Sequence, residues 1–198
     1  MKRLSLIVVA LLMSFGSAFA QDASKPAAPA AAPTMAQVIN RQITGLEREL
    51  VPLVEAMPED KFNFAPTNGE FKGVRTFGAM VKHIAVTNVL MASVMIDQPA
   101  PKLTDEEADN GPANVKTKAE IVQYLKDSFA MLHKAADGTN EGNIMAPLKN
   151  PFGGKAPSYR IGLFISNVSH SRDHYGQLVE YLRDNGIIPP ASRPQPAK

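Results

Sequence analysis

The chain has 198 residues, with 21 Lys plus Arg, 19 Asp plus Glu and neither Cys nor Trp. The lack of Cys excludes disulfides, thiolate metal ligands and a cysteine nucleophile. No Lys/Arg cluster is present, which argues against a nucleic-acid platform, and the length beyond the first residues suffices for one sizeable domain.

Lys2 and Arg3 form a short basic start, Leu4 to Met13 is apolar, and Ala18-Phe19-Ala20 is a small-x-small cleavage signal. This pattern predicts a secretory signal peptide over residues 1–20 and a periplasmic or secreted mature protein. The apolar run is short for a membrane span and is followed at once by Ser14, Gly16 and Ser17, so no stable membrane insertion is expected after cleavage. Removing the peptide takes away Lys2 and Arg3 and no acid. Lys plus Arg then falls from 21 to 19, which balances the 19 acidic residues. Residues 21–33 are mostly Ala, Pro, Lys and Ser and read as a flexible tether. Residues 34–190 read as the folded domain, and 191–198 as a flexible tail.

Four segments carry helical periodicity. The first runs from about Met35 to Met57, with a Thr34/Gln37 capping box. Its apolar stripe is Val38, Ile39, Ile43, Leu46, Leu50 and Leu53, and Pro52 is expected to kink it or end its regular part. The second runs from about Thr76 to Asp97, with Phe77, Met80, Val81, Ile84, Met91, Val94 and Met95 inward, and is stopped by Pro99 and Pro101. The third runs from about Lys118 to Ala136 behind a Thr117/Glu120 capping box, with Ile121, Leu125, Phe129 and Leu132 inward and Gly138 as its stop. The fourth runs from about Tyr159 to Asn185, with Ser158 as its expected N-cap and Asn185-Gly186 as its end. No segment shows period-two alternation. Four helices of this length imply an all-α four-helix bundle. The two long connections contain Phe62, Phe64, Phe71 and Phe152, which are expected to pin them onto the bundle ends.

The fourth helix places His170 and His174 one turn apart on the face that also holds Leu163, Asn167, Leu178 and Tyr181. Ser169, Asp173, Gly176 and Glu180 lie opposite, so Asp173 is not assigned as a base. His83 lies beside Met80, Thr87 and Val94, at the edge of the second helix's apolar face. A buried imidazole must satisfy two nitrogens, and a divalent metal is one partner that three imidazoles can share. Satisfied core histidines are the other reading. Zn, Ni and Fe ions all accept imidazole nitrogen, and three histidines leave a position open for water or a substrate atom. Asn167 and Gln177 on one helix, and Thr87 and Asn88 on the other, are the candidates for orienting these rings. His133 reads as structural or exposed. Tyr159 or Arg160 could reach a cleft mouth.

Several enzyme classes lack their motifs. Ser171 occupies the Glu position of His-Glu-x-x-His, which removes the base of a zincin protease. No His follows a Glu by three positions, as a ferritin-like di-iron site requires. There is no Gly-x-Ser-x-Gly elbow and no phosphate loop. Asn167-Val168-Ser169 matches a glycosylation sequon, but it falls inside a predicted helix.

The run His170-Ser171-Arg172-Asp173-His174-Tyr175-Gly176-Gln177, followed by Leu182-Arg183, Gly186 and Pro189-Pro190, resembles the end of the DinB family. His83-Ile84-Ala85 with Asn88 resembles the family's first-ligand helix, and Pro58 to Pro66 looks like its connection between the first two helices. The resemblance covers about Met35 to Pro190. It implies a four-helix bundle of up-down-down-up order with a divalent metal in a central cleft. The implied ligands are one His on the second helix and two on the fourth, here His83, His170 and His174. Family members are often homodimers, and those with an assigned activity include thiol-dependent transferases and isomerases. The export signal departs from the cytosolic pattern. The resulting expectation is an exported divalent-metal protein acting on an unknown small molecule. It would be a metal-dependent hydrolase or thiol-dependent transferase, the alternative being a noncatalytic bundle that binds a small ligand or metal.

Overall fold

The computed structural model describes residues 31–194. The signal peptide, most of the tether and the last four residues of the tail lie outside the described residues. The described chain is mostly helical. Its elements are α1 (Met35–Ala56), α2 (Phe77–Met95), the short α3 (Asp105–Asn110), α4 (Lys118–Asp137), strands β1 (Pro147–Leu148) and β2 (Ser158–Tyr159), and α5 (Arg160–Asp184). Helices α1, α2, α4 and α5 are the four that the periodicity predicts, and they form the bundle.

Thr34 and Thr117 each close a capping box, with Gln37 and Glu120 reaching back to the cap backbone. Thr76 caps α2 through the Ala79 N–H. These caps satisfy amides that have no partner inside the helix. Pro52 does not end α1, which runs on to Ala56. The ring faces solvent, while Leu50, Leu53 and Val54 are buried on both sides of it. Tertiary burial of that face offsets the roughly 3 kcal/mol interior-proline penalty. Val38, expected inward, is exposed.

The expected Ser158 cap is not made. Tyr159 occupies the N-cap position without a side-chain bond, and Ser158 instead pairs with Leu148 in a two-stranded antiparallel ladder. Arg160 N–H donates to the Ala146 carbonyl and Ile161 N–H to the Ile144 carbonyl. Backbone carbonyls thus replace the side-chain cap, an option no local sequence pattern reveals.

Around the bundle, α2 packs on α4 and α5, and α1 packs on α4 and α5. Consecutive helices α1 and α2 therefore sit across a diagonal, as do α4 and α5. Short loops join adjacent antiparallel helices, so crossing a diagonal is the reason both connections are long. The first is held by stacked aromatics: Phe62 lies edge-on to Phe77 at 5.3 Å and Phe64 edge-on to Tyr181 at 5.8 Å. Its Phe62 and Phe64 carbonyls also accept from the Gly78 and Phe77 N–H groups at the start of α2. Phe71 and Phe152 do not pin their loops; both are exposed.

The core is one cluster centred on Ile43, Leu46, Leu53, Phe77, Ile84, Leu125, Phe129 and Leu178. Helix α2 contacts both neighbours and is apolar nearly all round. It is long and apolar enough to cross a membrane, yet most of it is buried inside the bundle, as an all-apolar helix of a packed core should be. Met80, Met91 and Met95 belong to this core. Pro190–Ser192 forms a single 3-10 turn against α1.

Candidate metal centre

Three histidines from two helices converge. His83 comes from the middle of α2, and His170 and His174 from adjacent turns of α5. Each offers one ring nitrogen, and these three nitrogens lie within 4.8 Å of one another. His170 Nε2 is 2.9 Å from His83 Nε2 and 3.1 Å from His174 Nε2. The three rings are tilted or edge-on to each other, with centroids 4.5–5.0 Å apart. His170 Nε2 therefore stands between the other two Nε2 atoms, and the three face one another.

The outer nitrogens decide the protonation of two rings. His83 Nδ1–H donates to the Asp109 carbonyl at 2.6 Å, which leaves its Nε2 bare. His174 Nδ1–H donates to Gln177 Oε1 at 3.1 Å, while Gln177 Nε2 donates to Asp173 Oδ2 at 3.0 Å. The Asp173 carboxylate, which can only accept, sets which way the Gln177 amide faces. His174 Nε2 is then bare as well. His170 Nε2 sits between these two lone pairs and could donate to only one of them. His170 Nδ1 is buried and, among the described residues, has no partner.

Burial pushes the His170 pKa down to about 4, and the neighbouring His174 and His83 act in the same direction. Burial, followed by the Arg75 charge, also lowers that of His83. Both rings are therefore neutral imidazoles rather than cations at neutral pH.

Two of the three donor spacings suit one divalent ion, and the third pair lies within 4.8 Å. An ion at about 2.0–2.1 Å from each imidazole nitrogen spaces neighbouring donors roughly 2.9–3.4 Å apart, for angles between ~90° and tetrahedral. The two shortest spacings here are 2.9 and 3.1 Å.

Helix α3 completes the site, and the helical periodicity did not reveal it. Its Thr104/Glu107 capping box was a visible signal, set in a Pro- and Asp-rich stretch that otherwise reads as a loop. Arg75 holds its end: Nε donates to the Asp109 carbonyl at 3.3 Å and to Asn110 Oδ1 at 3.2 Å, and the guanidinium pairs with the Asp109 carboxylate. Tyr181 O–H in turn donates to the Arg75 carbonyl at 2.9 Å. Gly111 follows at φ +78°, and a Cβ there would lie 2.4 Å from Lys82 Cβ and 3.1 Å from the Lys82 backbone. Gly111→Ala is thus expected to lift α3 off α2 and move the Asp109 carbonyl from His83. The expected cost is about 1–3 kcal/mol, read as a lower thermal midpoint together with faster amide exchange across Asp105–Asn110.

The other candidates fall elsewhere. Of the four ring-orienting candidates, Gln177 touches a histidine, whereas Asn167 and Asn88 bond to each other. Thr87 is buried in α2. His133 is structural: its ring bridges Asn40 Oδ1 at 2.6 Å and Glu47 Oε2 at 3.1 Å, tying α4 to α1. Arg160 and Tyr159 do not reach the centre. Ten residues of α5 separate Arg160 from His170, about 15 Å at helical rise, and Arg160 is buried with its guanidinium donating to the Met95 carbonyl at 2.9 Å. Asn167 of the sequon is buried, which removes it as a glycan acceptor. A cavity of about 720 Å³ opens between residues 94–100 and 147–153, lined by Asp97, Pro99, Leu148 and Lys149. None of the three histidines lines it.

Comparison with known proteins agrees with this architecture. A DinB-like protein from Bacillus cereus ATCC 10987 superposes with a TM-score of 0.60 at 13% identity, covering 77% of this chain and 93% of its own. A conserved protein from Enterococcus faecalis gives 0.60 at 18% identity, covering 77% and 97%. No curated protein matches. The family model of the DinB superfamily matches residues 42–178, a span that includes all three histidines and well over half of the chain. The chain belongs to the DinB superfamily.

Proposed function

We propose that this protein is exported and holds one divalent ion on His83, His170 and His174, leaving coordination positions open for a small molecule. The observation that carries this reading is the convergence of three Nε2 atoms, two of them bared by hydrogen bonds to their Nδ1 protons. Zn, Ni and Fe suit an all-imidazole set. A bound ion would supply Lewis acidity toward a water, a thiol or a polarised substrate oxygen. The chain's own part is orientation: the Asp109 carbonyl and Gln177 hold two imidazoles in the tautomer that presents Nε2. A metal-dependent hydrolase or thiol-dependent transferase is the catalytic form of this reading, with export favouring hydrolysis because thiol cosubstrates are scarcer outside the cytoplasm.

One observation favours the alternative, a noncatalytic binding bundle. Among the described residues, no carboxylate hydrogen-bonds to any of the three Nε2 atoms, and Asp173 is turned to Gln177. A general base beside the open positions would have to come from elsewhere.

Metal analysis of natively purified protein tests the common core of both readings, with about one equivalent of Zn, Ni or Fe expected. Stripping the ion with a chelator should lower the thermal midpoint. Binding at ~100 times Kd contributes about 2.7 kcal/mol, or roughly 5–10 °C for a domain of this size. A metal-free native protein whose melting ignores both chelator and added metal would discard the proposal. Turnover in hydrolase and thiol-transfer screens separates enzyme from binder, and an N-terminus at Gln21 in exported protein tests the signal peptide.

A further inference from the structure

A line of buried polar side chains crosses the bundle beside the histidines. Ser128 on α4 donates its Oγ–H to the Leu125 carbonyl at 2.7 Å. Asn88 Nδ2 on α2 donates to Ser128 Oγ at 3.0 Å, and Asn167 Nδ2 on α5 donates to Asn88 Oδ1 at 2.7 Å. The direction of this chain is forced. The Ser128 hydroxyl proton is committed to a backbone carbonyl that can only accept, so toward Asn88 the hydroxyl oxygen must accept. Asn88 must then turn its NH₂ to Ser128 and its oxygen to Asn167. Asn167 must turn its NH₂ to Asn88, which leaves Asn167 Oδ1 as a buried acceptor without a donor among the described residues.

An unpartnered ring nitrogen lies one turn away. His170 is three residues after Asn167 on the same helix, and its buried Nδ1 likewise has no protein partner. Positions three apart on a helix are neighbours. One water between Asn167 Oδ1 and His170 Nδ1 would find two polar partners, both otherwise unsatisfied. His83 and His174 each have an acceptor for their Nδ1 proton; of the three, His170 alone has none.

We propose that Asn167 is the positioning residue of His170, its Oδ1 taking the Nδ1 proton across one water. The chain from α4 through Ser128 and Asn88 holds the amide in that sense. His170 is thereby kept in the tautomer that turns a bare Nε2 to the centre, as Asp109 and Gln177 do for the other two rings. This rests on the reading of the three histidines as metal ligands.

The test is zinc affinity by chelator competition, beside melting curves of the chelated proteins, for the wild type, Asn167→Leu, Asn167→Asp and Ser128→Ala. Asn167→Leu keeps the shape but removes the acceptor, and affinity should fall about 10–100-fold. Asn167→Asp keeps an acceptor for His170 and should hold affinity within a few-fold of wild type, even though its buried carboxylate lowers the chelated midpoint. A merely structural asparagine predicts the opposite, with affinity following stability. Ser128→Ala frees both amides to turn over and should weaken zinc binding in the same direction, by less. It also supplies the answer if Asn167→Leu fails to fold. Wild-type protein that binds zinc with unchanged affinity in folded Asn167→Leu, or in Ser128→Ala where that variant is the one that folds, overturns the role of Asn167 alone. Wild-type protein that binds no zinc overturns the metal reading and this inference together.

Discussion

Replacing His170 with alanine is expected to abolish the metal-dependent rise in thermal midpoint while leaving the chelated protein about as stable as chelated wild type. The first half follows from ligand count, since two imidazoles hold a divalent ion far more weakly than three. The loss should exceed the ~10–100-fold attached to a ring-orienting neighbour. The second half follows from the surroundings of the ring. His170 Nε2 stands 2.9 and 3.1 Å from two nitrogens whose lone pairs face it, and its Nδ1 is buried without a protein partner. Removing the ring relieves that conflict and forfeits some packing, two effects of opposite sign and each of about 1–3 kcal/mol. Melting curves of both proteins with zinc and with chelator read the two halves separately. A variant that still gains the wild-type increment from zinc would show that His170 is not a ligand. One that loses several kcal/mol in chelator would show that the ring is chiefly a packing element.

Phe129→Ala is expected to be the most destabilising single change, at about 3–5 kcal/mol, without altering the metal site's chemistry. Phe129 is fully buried on α4, facing the core that α1, α2 and α5 share. Truncation leaves a cavity in that core. At roughly 2–4 °C per kcal/mol for a domain of this size, the midpoint should fall by about 6–20 °C. Urea titration gives the check: the midpoint concentration should drop while the slope m stays that of the parent, because the surface exposed on unfolding hardly changes. The metal increment should survive in the variant, since the histidines lie on α2 and α5. A loss below about 1 kcal/mol would mean that this core collapses around the missing ring.

Helix content and the three histidines were legible because both depend on short-range periodicity. Residues recurring every three to four positions mark a buried face wherever the partner helix lies. The stripe through Leu163, Asn167, His170, His174 and Leu178 therefore showed from sequence that both imidazoles turn inward. The capping boxes at Thr34 and Thr117 are likewise local events, and both are present. Pro52 does not end its helix because its cost is local while the burial that overrides it is tertiary.

What sequence alone determined is thus a set of amphipathic helices and two inward histidines one turn apart, because helical geometry relates neighbours in the chain without reference to the rest of the fold. Tertiary structure decided that His83 meets them, since only the packing of α2 on α5 can set the distance between residues 87 positions apart. It also decided which proton each ring carries. The acceptor for His83 is the backbone carbonyl of Asp109, on a helix of six residues, and every residue type offers that same carbonyl. The free oxygen of Asn167 follows from a hydroxyl on α4 that no reading of α5 could supply. Side-chain identity is written in the sequence, but the direction of a hydrogen-bond chain is a property of the packed bundle.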